Sequence, residues 1–264
     1  MPILTLFAGI NGSGKTSLYR TISAAGDLGE RVSIDETAER LGNWRDPVVQ
    51  VRAGKIALRQ ANDYIDDAVS FNQETTLPGA VILRQLRAAK ENGFTVILYF
   101  MGVDSVETAI ARVRRRVEKG GHGIPESMIR YRWEKMPSAL AAILPYCDLA
   151  FFYDNTERFR QIVVLDGGEL VDADPNLPDW FYYVTGMKKD RSYDRSFFMD
   201  EFFVGALLER SVPTTPQELY IREGLSQITL NSPQLMKPLQ PPPIPESRTP
   251  PQRVGVARVS VKRS

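Results

Sequence analysis

Gly9-Ile10-Asn11-Gly12-Ser13-Gly14-Lys15-Thr16 fits the pattern G-x-x-x-x-G-K-[ST] at every fixed position. The glycines let the backbone curl so that successive N–H groups turn inward on a phosphate. Lys15 adds a mobile positive charge and Thr16 a hydroxyl for Mg²⁺. The candidate nucleotide-binding residues are therefore Gly9, Asn11, Gly12, Ser13, Gly14, Lys15, Thr16 and Ser17, with Thr16 facing the metal. Such a loop needs a strand before it and a helix behind it. Ile3 to Ala8 is a short apolar run suited to a buried parallel strand, and Ser17 to Ile22 continues as a helix with Leu18 and Ile22 four apart. That helix begins inside the motif, so its N-terminal dipole adds to the anion site.

Moving outward, Arg31 to Ile34 reads as a second short strand that stops at Asp35. Ligands of open α/β sheets bind at the carboxyl ends of strands, which delivers Asp35 beside the cradle. A carboxylate there suits a base that orients or deprotonates an acceptor hydroxyl. The same acid also suits the opening of a helix, and Glu36 beside it shares its chemistry. Pro47 to Val69 has helical periodicity, with Val51, Ile56, Leu58, Ile65 and Ala68 as its apolar members. Phe71 to Leu77 reads as a strand that brings Glu74, Thr75 and Thr76 to the same sheet edge. A helix over Ala80 to Glu91 ends at Asn92-Gly93, and Phe94 to Phe100 is the clearest buried strand. Asp104-Ser105 caps a helix from Val106 to Glu118, and Lys119 to Pro125 is a flexible loop. Glu126 to Leu144 resumes as helix, and Leu149 to Tyr153 and Arg160 to Leu165 are closing strands.

Strands alternating with helices at this spacing predict an α/β fold of the P-loop NTPase or kinase type, a parallel sheet with helices on both faces. The expected division is a kinase domain over 1–170, a helical or irregular extension over 171–237 and a Pro-rich basic tail over 238–264. In the extension, Asp179 to Glu209 carries aromatic clusters suited to helices packed on the main domain. A net charge of +1 over 264 residues argues against a broad nucleic-acid or membrane footprint. One cysteine, Cys147, permits no intrachain disulfide, and one histidine beside it makes a zinc site improbable. No run has the length of a membrane span and the N-terminus lacks a signal-peptide pattern, so a cytoplasmic location is expected.

Phosphoryl transfer needs positive charge on the migrating group beyond a single lysine. Arg112 and Arg116 lie four apart on one helical face, and Arg130 and Arg132 follow the glycine-rich loop. Arginines on either side of a flexible loop suit a closing lid, while a solvated helix face is the plainer reading of the 112–116 run. The strand expected over Phe94 to Phe100 ends in Met101-Gly102, without the Mg²⁺-holding Asp usual in motor and switch ATPases.

Taken in order, AGINGSGKTS at 8–17, SIDE at 33–36, NQETTL at 72–77, ARVRRRVEKGGHGIPESMIRYRW at 111–133 and YDN at 153–155 resemble the zeta toxin kinases of bacterial toxin–antitoxin systems. A P-loop alone is widely shared, whereas G-G-H-x-I-P at Gly120 to Pro125 is far more specific. The resemblance implies ATP- or GTP-dependent phosphorylation of a hydroxyl on UDP-N-acetylglucosamine or a related UDP-sugar, with Mg²⁺ as cofactor and an antitoxin as a possible partner. It implies Asp35 as base, with Lys15, Arg116 and Arg130 stabilising the phosphoryl group and His122 and Arg132 on the nucleotide side of the lid. Asp35, Glu36, Glu74, Thr75 and Thr76 fall on the acceptor side. Where such chains often carry a basic residue after the ETT block, this one has Leu77-Pro78-Gly79. Two other readings stand beside it. One is a P-loop kinase of a different small acceptor, such as a dinucleotide. The other is a non-catalytic nucleotide switch that binds a partner through the C-terminal region.

Overall fold

The computed structural model describes residues 1–189. Seven strands form one sheet: β1 (Ile3–Ala8), β2 (Glu30–Val32), β3 (Phe71–Thr75), β4 (Thr95–Gly102), β5 (Leu149–Asp154), β6 (Arg160–Asp166) and β7 (Glu169–Ala173). Their order across the sheet is β2-β3-β1-β4-β5-β6-β7. The chain leaves β1 toward β2 and β3 on one side, then crosses to β4 and β5 on the other. The carboxyl end of β1 therefore sits at the switch point where α/β sheets open a ligand crevice.

The sheet is parallel from β2 through β5, as expected, but β6 and β7 run antiparallel. The reason lies in the connections. A parallel return needs a crossover of a dozen or more residues, and both of these links are far shorter. Between β6 and β7 only the pair Gly167-Gly168 intervenes, a two-residue hairpin turn. The two sheet edges differ: β2 has three residues, while β7 exposes Glu169, Val171, Asp172 and Ala173.

Helices cover both faces. On one side, α1 (Lys15–Ala25) packs Leu18 with Phe7 and Met101 in a small cluster. On the other lies the main core, where Leu4, Leu6, Leu98, Phe100 and Phe152 meet α3 (Pro47–Asp66), α4 (Ala80–Glu91), α5 (Val106–Glu118), α6 (Glu126–Ile143) and α7 (Asp179–Thr185). Alternating residues of each strand thus serve opposite cores, as the pleat requires. Helix α3 corrects the sequence reading: its buried seam is Ala53, Ala57, Ala61 and Ile65, whereas Val51 and Ile56 are 60% and 38% exposed. Small residues every fourth position let the helix backbone approach its neighbours closely, and the larger residues turn to solvent.

Ordered structure continues beyond residue 170. Trp180, Phe181 and Val184 of α7 are part of the main core. A Cβ at Gly102 would collide with the Trp180 ring, and Trp180 Nε1 donates to Asp154 Oδ1 at 3.0 Å. The aromatic residues expected to pack at 197–203 and the Pro-rich stretch 238–264 lie outside the described residues. Cys147 is buried, and burial raises its thiol pKa well above the ordinary value, which suits a structural residue rather than a nucleophile.

Candidate active site

The glycine motif forms the turn between β1 and α1. At Gly9, φ is +142° and a Cβ would strike the Met101 carbonyl and the Ser13 side chain. At Gly14, φ is +107° and a Cβ would strike the Asn155 amide. Asn155 Nδ2 donates to the Ser13 carbonyl at 2.8 Å, and its own N–H donates to the Gly102 carbonyl at 3.0 Å. The end of β5 thus clamps the loop from below. Ser13 Oγ is buried with no hydrogen-bond partner among the described residues, a polar orphan within the cradle.

Lys15 opens α1 and is 8% exposed, its Nζ donating to the Ile10 carbonyl at 3.0 Å. Burial lowers its pKa from 10.5 to about 8. The attraction of Glu74 opposes this, Arg132 and Arg116 push further down, and Asp35 adds a smaller attraction. Residues from β3, the first turn of α2 (Ile34–Leu41), the end of α5 and α6 therefore all act on one ammonium. Such a charge, held among the described residues by one hydrogen bond, is ready for a polyanion.

Glu74, near the end of β3, accepts from Thr16 Oγ1 at 3.0 Å on Oε2 and from Arg31 at 2.6 Å on Oε1. Thr16 and Glu74 together present hard oxygens at the mouth of the cradle. They fit Mg²⁺, which takes one or two protein oxygens and fills its octahedron with phosphate and water. Among the described residues no group of three His, Cys, Asp or Glu could hold a metal without a nucleotide. Thr75 Oγ1 is used locally, accepting from the Leu77 N–H at 3.0 Å where Leu77 adopts φ +70°. Thr76 is half-buried beside it.

Asp35 does not close a strand, which corrects the sequence reading. β2 stops at Val32, and Ser33 caps α2 (Ile34–Leu41) by accepting from the Glu36 N–H at 3.2 Å. A Ser three residues ahead of a Glu favours a helix start over a longer strand. Asp35 is left in the first helical turn, exposed, and its charge still acts on Lys15. Glu36 turns instead to Arg31, with Nε to Oε1 at 3.3 Å.

The lid arginines separate. Arg132 donates to Asn11 Oδ1 of the glycine loop. Arg116 Nε donates to the His122 carbonyl at 2.8 Å, bracing the loop. Arg130 points elsewhere, pairing with Glu107 of α5 at 2.7 Å between two exposed side chains. Arg112 holds the Thr156 carbonyl at 2.8 Å. The His122 ring lies against Trp44, with centroids 3.6 Å apart, and Arg45 donates to the Gly120 carbonyl at 3.5 Å. The lid loop thereby touches the α2–α3 connection across the cleft. Sequence reasoning named neither Trp44 nor Arg31 as functional. The only signal for Arg31 was a long cation in a strand that runs toward the crevice.

No protein-family model matches the chain. A Haemophilus influenzae protein described as uncharacterized is 33% identical over 127 residues, covering 48% of this chain and 89% of that protein. Among solved structures, the AvrRxo1-ORF1:AvrRxo1-ORF2 assembly with sulphate ions superposes with a TM-score of 0.54, at 15% identity, over 86% of this chain and 76% of that one. The AvrRxo1 assembly with ATP gives 0.51 at 16% identity, over 66% of this chain and 61% of that one. A chain of the PezAT toxin–antitoxin system of Streptococcus pneumoniae gives 0.49 at 14% identity, over 88% of this chain and 86% of that one. The chain spans 42% of the length of its match in the Pnkp1/Rnl/Hen1 RNA repair complex. The fold is thus an α/β, mostly parallel seven-stranded sheet of the kind the AvrRxo1 chains also have, and no helix of the described residues is long and apolar enough to cross a membrane.

Proposed function

The chain belongs to the same family as the uncharacterized Haemophilus influenzae protein, and from that premise we propose that it is a phosphotransferase. It moves the γ-phosphate of ATP or GTP to a hydroxyl of a small acceptor, with a UDP-sugar such as UDP-N-acetylglucosamine first in line. The observation that carries this reading is the convergence on buried Lys15 of Glu74, Arg132, Arg116 and Asp35 from four parts of the chain. The ordered resemblance of the SIDE, NQETTL and GGHGIP blocks to zeta toxins supports the acceptor class.

In this reading the cradle and Lys15 bind the β- and γ-phosphates, and Arg132 and Arg116 steady the migrating group from the lid side. Mg²⁺, held beside Thr16 and Glu74, would neutralise charge on the phosphates. Asp35 orients the acceptor hydroxyl and takes its proton as the new O–P bond forms. The bond from the γ-phosphorus to the bridging oxygen breaks, and the nucleoside diphosphate leaves with that electron pair. Thr75, Thr76 and Glu36 line the acceptor side. An antitoxin partner belongs to the same proposal.

The test is incubation with labelled ATP and UDP-N-acetylglucosamine, and in parallel with a metabolite extract, followed by mass analysis of the product. The expected result is a sugar nucleotide heavier by one phosphate, lost in folded Lys15→Ala and Asp35→Asn. A labelled product of another class would replace the acceptor. Full turnover in Asp35→Asn would remove the base, and no labelled product at all would leave only a nucleotide binder.

A further inference from the structure

Arg31 sits in the middle of the three-residue strand β2, and its side chain is only 14% exposed. Each part of its guanidinium has an acceptor. NH2 meets Glu74 Oε1 at 2.6 Å, NH1 meets Asn72 Oδ1 at 3.0 Å, and Nε meets Glu36 Oε1 at 3.3 Å. Beneath it the Tyr19 ring of α1 lies 3.7 Å from the guanidinium carbon. One side chain therefore ties β2 to α1, α2 and β3, the segments that carry Thr16, Asp35 and Glu74.

We propose that Arg31 is a positioning residue: it holds the Glu74 carboxylate against the Thr16 hydroxyl and, through Glu36, fixes the helical turn that presents Asp35. With one oxygen of Glu74 taken by Arg31, the other is aimed at Thr16, which sets where a divalent cation meets the protein. A planar fork with several donors can satisfy three acceptors and stack on a ring at once, and a lysine ammonium cannot. This inference rests on the cradle binding a Mg²⁺-nucleotide, as proposed above, but not on transfer to any acceptor.

The experiment titrates Mg²⁺ into the full chain with a fluorescent ATP analogue and reads half-saturation of binding, alongside kcat and KM where turnover is found. Arg31→Ala is expected to need at least tenfold more Mg²⁺ and to lower kcat more than it raises the nucleotide KM. Arg31→Lys, which keeps a cation able to pair with Glu74, is expected to fold and to recover part of the Mg²⁺ response. Glu74→Gln is expected to shift Mg²⁺ dependence as far as Arg31→Ala does, with little added effect when the two are combined. Arg31→Ala folded by circular dichroism with an unchanged Mg²⁺ response would overturn the proposal. Should Arg31→Ala not fold, a wild-type response in Arg31→Lys would overturn it equally. A chain that binds Mg²⁺-nucleotide but phosphorylates nothing would sink the phosphotransfer reading and leave this one standing. A chain that binds no Mg²⁺-nucleotide would sink both.

Discussion

Replacing Lys15 by methionine is expected to stabilise the ligand-free protein while abolishing nucleotide binding. The ammonium is buried, has one hydrogen bond among the described residues, to the Ile10 carbonyl, and burial lowers its pKa from 10.5 to about 8. At about 1.36 kcal/mol per pKa unit, that displacement costs the folded state about 3 kcal/mol at neutral pH. Below pH 8 folded and unfolded chains both carry the proton, so the whole cost is present. As pH climbs from 8 toward 10.5 the folded protein loses its proton first while the unfolded chain keeps it, and the cost fades. Methionine fills a similar volume without charge and forfeits a hydrogen bond worth about 1 kcal/mol. The net gain at pH 7 is then about 2 kcal/mol, or about 4 to 8 °C in melting temperature for a domain of this size. Thermal melts without nucleotide at pH 7 and pH 10 read it directly. If Lys15→Met melts at or below the unsubstituted protein at pH 7, or if its advantage does not shrink on the alkaline side, the account of Lys15 fails.

A phosphate entering the cradle should restore the Lys15 proton, so nucleotide binding takes up a proton between pH 8 and 10.5 and weakens as pH rises through 8; calorimetry in two buffers of different ionisation heat measures this uptake. Because Arg132 reaches the glycine loop and Arg130 is engaged by Glu107, Arg132→Ala is expected to cut kcat/KM at least tenfold while Arg130→Ala retains most of it, a contrast that steady-state kinetics checks. Trp180→Phe keeps the ring packing but removes the donor to buried Asp154, at an expected cost of about 1–3 kcal/mol in chemical denaturation.

The cradle, its strand and helix, and the order of strands as far as β5 were legible because each has a local cause. The motif carries its own backbone demands, and the runs at Ile3 to Ala8 and Phe94 to Phe100 are apolar in the way buried parallel strands are. Asp35 was read at the end of a strand but opens a helix, since Ser33 and Glu36 form a cap that a strand reading of Arg31 to Ile34 overlooks. Of the α3 seam only Ile65 was read, and Ala53, Ala57 and Ala61 were missed, because large apolar residues outweigh alanines in periodicity whereas close packing selects the alanines. Arg31, Trp44 and the diversion of Arg130 to Glu107 depend on partners 23 to 78 residues away, and no local pattern encodes them. The antiparallel finish follows from loop length, which the sequence did contain in the five residues between β5 and β6 and the two between β6 and β7.

The two ends of the sheet bear on how the protein behaves in a crowd of its own copies. An open strand edge is a template on which a neighbouring chain can add, and proteins guard such edges by brevity or by charge. Here one margin is too short to offer more than a few backbone groups, and the other carries carboxylates at Glu169 and Asp172 that repel their counterparts on an approaching molecule. Replacing Glu169 and Asp172 together by serine therefore removes the guard from β7, and self-association, read by light scattering, is expected to begin at that margin.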